Sequence, residues 1–153
     1  MLSKEDVVRL AAGYAEEDFL CSEAVLMALS ECLGVSSEII PRIATGFGAG
    51  IGRKGEVCGA LSGGVMGLGL RFGRSTAEEE EGERHPYWFS TELAARFREQ
   101  LGHIRCEDLL GLDLSRVEDV QTYHERGLWE TTCRDIIKVA TRLAYDMLMA
   151  DEV

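Results

Sequence analysis

Apolar residues recur at three- and four-residue steps along nearly the whole chain, the spacing that lines one face of an α-helix. Near the N-terminus, Ser3 is followed three residues later by Asp6, and Leu2 and Val7 can close a hydrophobic staple over the same turn. Val7, Val8, Leu10 and Ala11 then carry a predicted helix to about Tyr14 or Glu17. Asp18 is read as the N-cap of a second helix, "FLCSEAVLMALSECLG", which Gly34 ends. Ser36 or Ser37 opens a third, "SEIIPRIAT", with Pro41 tolerated near the first turn and Gly46 as the stop.

Beyond a glycine-rich loop, "EVCGALSGGVMGLGLRFG" is read as a fourth helix. Propensity opposes this, since each interior glycine costs about 1 kcal/mol relative to alanine, so packing must compensate. Pro86 begins "PYWFSTELAARFREQLG", where Trp88, Leu93, Phe97 and Leu101 form a loose apolar stripe, and "CEDLLG" reads as one short turn. The clearest period runs from about Leu128 to Met149, through Ile136, Val139 or Ala140, Leu143 and Met147. No alternating stretch argues for a strand. The expected fold is all-α, a single domain over residues 1–153 with four to five principal helices and a glycine-rich loop and helix around Cys58. Residues 74–85, with the run "STAEEEEGERH", are read as a flexible acidic linker inside it.

Composition narrows the functions open to such a bundle. At 153 residues and 46% hydrophobic, the chain can bury a core without disulfide staples. A formal charge of −11 argues against nucleic acid, whose phosphates need clustered Lys and Arg, and against an anionic membrane surface. The start "MLSKEDVVRLAAGYAEED" lacks a basic stretch followed by an apolar run. Val57 to Leu70 is too short and too glycine-rich to span about 30 Å of hydrocarbon. The expectation is a cytoplasmic chain with reduced thiols.

Ten of the chain's seventeen glycines fall between Gly46 and Leu70, around Cys58. Gly50-Ile-Gly52-Arg-Lys-Gly55 matches G-x-G-x-x-G, but a helix precedes it where the dinucleotide fingerprint needs a strand, and no G-K-[ST] follows. Gly55, Gly59, Gly63 and Gly67 stand at four-residue steps, so one face lacks Cβ atoms and another backbone can approach closely. That packing explanation needs no chemistry. Cys58 has a second reading. In the first turn of its helix, with Arg53 and Lys54 upstream and small neighbours around it, its thiolate is expected to be favoured and accessible.

The other cysteines are 21, 32, 106 and 133, and no C-x-x-C is present. Cys21 and Cys106 also fall near helix starts. Cys32 lies eleven residues after Cys21, on the same side but about 16 Å along the axis, so the two share neither a metal nor a disulfide within that helix. Cys32 is read as core, and Cys133 as facing the bundle interior. Cys21, Cys58, Cys106 and Cys133 can meet in a bundle, although spacings of 37, 48 and 27 residues match no standard metal motif. His85, His103 and His124 are read as exposed.

"CSEAVLMAL" at 21, the glycine segment around Cys58, "CEDLLGLD" at 106 and Cys133 together resemble the C_GCAxxG_C_C family, over about residues 15 to 148. The central motif here is Cys58-Gly59-Ala60-Leu61-Ser62-Gly63, with Val57 where the family name places a glycine. The resemblance implies a redox-active protein whose four cysteines fall on Cys21, Cys58, Cys106 and Cys133. These would ligate an iron–sulfur cluster or, in its place, zinc. With no metal, Cys58 and Cys21 would act as redox-active thiols. It also implies a redox partner, an oxidoreductase or a transport-associated protein. The alternative is a non-catalytic helical structural or interaction protein in which glycines and cysteines serve only packing. A homodimer is open through the glycine face or through Tyr87, Trp88 and Phe89.

Overall fold

The computed structural model describes residues 1–78 and 84–150. Residues 79–83, the centre of the expected acidic linker, lie outside that range. Local caps set the starts of the first two helices. The Ser3 hydroxyl accepts the Asp6 N–H at 3.1 Å, and Asp6 in return takes the Ser3 N–H at 3.2 Å. This capping box starts α1 (Lys4–Glu16).

Asp18 does not cap the second helix. It takes a left-handed conformation (φ 68°) just beyond α1, a role its short polar side chain tolerates. Leu20 is the N-cap instead, and its N–H is taken by the Glu23 carboxylate at 2.8 Å, so Cys21 is the first residue of α2 (Cys21–Cys32). Gly34, at φ 71°, closes α2 as expected. Then follow α3 (Ile39–Ala44), a 3-10 turn at Thr45–Phe47 and the turn Gly48–Ile51.

From Ala49 to Arg53 the backbone is left-handed at every residue, with φ of 54°, 66°, 62°, 56° and 69°. Three of these residues carry side chains, and left-handed geometry costs an L-residue about 1–2 kcal/mol. Gly50 is obligatory here, because a Cβ would lie 2.6 Å from the Glu56 nitrogen. The run is locked by Gly52 N–H to the Gly48 carbonyl at 2.9 Å and Glu56 N–H to the Gly50 carbonyl at 3.0 Å.

The glycine segment is helical from Gly59 to Phe72 (α4), with Cys58 as its N-cap. Gly55 therefore lies outside the helix, and the glycine row that packs is Gly59, Gly63 and Gly67. A Cβ at Gly63 would sit 2.5 Å from the Ser22 carbonyl oxygen, and one at Gly67 would strike Leu29. The face without side chains is thus filled by α2 and presents nothing to a second copy. This close approach is the compensation that the glycines require.

Next come α5 (Trp88–Leu101), α6 (Cys106–Leu110) and α7 (Val117–Glu125). A π-turn at Trp129–Cys133 leads into α8 (Arg134–Met149). The last segment is therefore not one continuous α-helix. The aromatic trio is not an exposed cluster either: only Tyr87 is well exposed, Phe89 is buried, and Trp88 packs at a tilt against Phe72, 5.1 Å between ring centres.

The main core joins α1, α2, α4, α5 and α8 through Val7, Ala24, Val25, Leu29, Leu68, Leu93, Phe97 and Ile137. The chain is all-α, and an isolated β-bridge joins Val57 to Arg105. No helix among the described residues is long and apolar enough to cross a membrane. A smaller cluster of Cys106, Leu110, Leu114 and Leu128 sits apart from the main core, with Tyr123 and Cys133 against it.

Candidate functional site

Each of the four cysteines singled out by sequence reaches one cavity of about 460 Å³ by a different local device. Cys21 arrives as the first residue of α2. Its sulfur lies where a Gly59 side chain would be, so the glycine after Cys58 makes room for it. Cys58 and Cys106 are joined through backbone. Cys58 N–H donates to the Ile104 carbonyl at 2.8 Å, and Cys106 N–H donates to the Glu56 carbonyl at 2.7 Å. This short antiparallel crossing, flanked by Arg105 between Glu56 (3.7 Å) and Glu107 (3.4 Å), sets two helix starts side by side.

Cys133 ends the π-turn, with its N–H bonded five residues back to the Leu128 carbonyl at 2.8 Å. Such turns insert an extra residue into the helical register and are frequent at functional sites. The Cys133 sulfur then lies 3.3 Å from the Tyr123 hydroxyl. Cys32 is absent from the cavity and packs, partly buried, on the rim of the main core. All five thiols are free.

Apolar residues wall the cavity, among them Leu109, Leu110, Leu114, Trp129 and Ile136, while Asp18 and Arg53 stand at exposed positions of its lining. Cys58 and Cys106 are only 7% and 8% exposed. The expected accessible thiolate at Cys58 is therefore reversed. Burial pushes this thiol well above its ordinary range, and Cys21 nearby pushes it further. The amides of Ala60 and Leu61, at the start of α4, act in the expected opposite direction and are outweighed.

Burial likewise raises Cys21, against the pull of backbone amides that include Ala49 in the left-handed turn. It pushes Cys106 up to about 12 and Cys133 to about 11. Cys21 raises each of the other three thiols, so the four sulfurs act on one another across the cavity.

Four thiols are the donor set of both zinc and iron–sulfur sites. For a single ion the placement does not fit, since no three His, Cys, Asp or Glu side chains among the described residues are arranged to hold one. For a cluster, which spreads its ligands around an inorganic core, both the donor set and the space fit.

Sequence reading missed α7 and with it Tyr123. Val117, Val120 and Tyr123 stand at three-residue steps behind Glu118 and Asp119, a short amphipathic pattern that could have signalled the helix. The three histidines are exposed as expected, although His124 borders the cavity.

Comparison with known proteins gives one match. A family model described as "Putative redox-active protein (C_GCAxxG_C_C)" covers residues 19–147. No curated protein and no solved structure matches.

Proposed function

Because the chain belongs to the C_GCAxxG_C_C family of redox-active proteins, we propose that Cys21, Cys58, Cys106 and Cys133 form one centre that ligates an iron–sulfur cluster for electron transfer. The observation that carries this reading is the convergence of four cysteines, from four separate elements, on the wall of one cavity. When bound, the cluster supplies reversible one-electron chemistry.

The chain's own part follows from its electrostatics. Burial holds the free thiols protonated, so the thiolate needed for thiol–disulfide exchange is scarce near neutral pH. A group bringing its own positive charge relieves this penalty, because metal binding replaces the thiol protons. Buried thiols are thus better suited as ligands than as nucleophiles. Leu109, Leu110, Trp129 and Ile136 wall the cavity and exclude water from the sulfurs. A reducing compartment such as the cytoplasm keeps the thiols available, and the natural partner is an oxidoreductase that exchanges electrons with the centre.

The test is anaerobic purification with iron and sulfide counted per chain, for the native sequence and for Cys58→Ser and Cys106→Ser. Iron and sulfide in matched amounts, lost in either variant, are the expected result. A colourless, iron-free protein whose free thiols fall by two or four on mild oxidation would replace the cluster with disulfide chemistry. Iron-free protein with unchanged thiols would leave the cysteines a packing role.

A further inference from the structure

The Tyr123 hydroxyl is a polar group at this cavity that the four-thiol reading does not use. It is carried by α7, whose Val120 and Tyr123 both line the cavity and whose ring packs in the small cluster with Cys106, Leu110 and Leu128. The main-chain bond from Leu128 N–H to the Tyr123 carbonyl (3.2 Å) ties the end of α7 to the π-turn. One segment therefore fixes both the tyrosine and the cysteine it meets. The hydroxyl lies 3.3 Å from the Cys133 sulfur, and either atom can donate while the thiol keeps its proton.

Ligation removes that choice. A cysteine bound to iron has lost its proton and can only accept, whereas a phenol at neutral pH has one O–H to give. Hydrogen bonds to ligand sulfurs are one of the ways a protein sets a cluster's potential.

We propose that Tyr123 is a positioning residue for the centre, donating its O–H to the Cys133 sulfur so that the sulfur is held toward the cavity and the reduced, more negative state is favoured. This rests on the four-cysteine reading above. The donated bond stabilises charge on sulfur, and that charge is larger after reduction. Removing it makes reduction harder.

The decisive variant is Tyr123→Phe, which deletes one oxygen and keeps the ring that packs. In the iron-loaded protein it should retain iron while the reduction equilibrium falls about tenfold, a drop of about 59 mV for a one-electron couple. A fluorinated tyrosine placed at 123, a stronger donor of nearly the same shape, should move the potential the opposite way. An unchanged potential in both proteins overturns the proposal, as does a change of the same sign in both.

A second measurement uses the metal-free chain and so does not depend on the cluster. The infrared S–H stretching region should show one component that shifts in Tyr123→Phe and disappears in Cys133→Ala. If the native chain binds no iron, the cluster reading fails, and an S–H band unmoved by Tyr123→Phe then also removes the contact. A band that moves keeps Tyr123 as the group that orients Cys133.

Discussion

Gly59→Ala adds a single methyl group at the point where α2, α4 and the turn before the left-handed run meet. Its Cβ would overlap the Cys21 sulfur, lie 2.9 Å from the Phe47 carbonyl oxygen and sit 3.4 Å from the Ser22 Cβ. The sulfur is the end of a side chain and can rotate away, but the Phe47 carbonyl is backbone and cannot. Nor can α2 withdraw alone, because Ser22 is held by its hydroxyl to the Ala44 carbonyl at 2.7 Å. Forcing an extra methyl into such a contact costs about 1–3 kcal/mol. Better helix propensity returns at most about 1 kcal/mol, and less in the first turn.

The net expectation is about 1–2 kcal/mol of destabilisation, or roughly 2–8 °C in Tm for a domain of this size. The larger effect is on the site, because relieving the overlap turns the Cys21 sulfur out of the group. Iron per chain should fall below half the native value. Urea titration followed by circular dichroism, with the slope unchanged, reads stability, and iron analysis reads the site. Gly69→Ala in the same helix is the control. Nothing lies within 4 Å of its Cβ position, so it should gain about 0.5–1 kcal/mol and leave iron unaffected. Native stability and native iron content in Gly59→Ala would refute the reasoning, as would equal damage from Gly69→Ala.

Other outcomes follow from the same geometry. Cys32→Ser should keep full iron content and an unaltered spectrum, since Cys32 does not reach the cavity; loss of iron would require redrawing the site. In the metal-free chain, Cys133 and Cys106 hold their protons up to about 11 and 12, whereas unfolded thiols release theirs near 9.0. The folded state then binds more protons, so stability is full below pH 9 and falls from there toward pH 12. A urea midpoint at pH 10.5 equal to or above that at pH 8 would contradict this. Ser22→Ala removes the buried hydroxyl that donates to the Ala44 carbonyl and should cost about 0.5–1.5 kcal/mol in the same titration; an unchanged midpoint would show that this bond does not hold α3 to α2.

The sequence carried those parts of the fold that local chemistry decides. Ser3 with Asp6 marks a helix start, and Gly34 an end, because caps act within a few residues. The four cysteines could be grouped, and Cys32 set aside, from helical rise and from a family resemblance. How they meet was not legible. Val57 pairs with Arg105 across forty-eight residues, and no short pattern announces a bridge of that length. The Cys58 thiol was misjudged for a related reason: its helix start and its charged neighbours are local, while the burial that overrides them comes from its place in the main core, built by residues distant in the chain. Tyr123 was missed because its helix is short and contributes no fully buried residue, so its period is weak.

The left-handed run from Ala49 to Arg53 has a consequence in stereochemistry. Read alone, it is one turn of the helix that a chain of D-amino acids would form, built here from L-residues at Ala49, Ile51 and Arg53. Inverting a single α-carbon, as with D-alanine at 49 in a synthetic chain, would leave every backbone bond in place and relieve about 1–2 kcal/mol. The native chain bears that strain where the Ala49 amide acts on the Cys21 sulfur. A mirror-image turn among right-handed helices thus turns a backbone amide toward the Cys21 thiol.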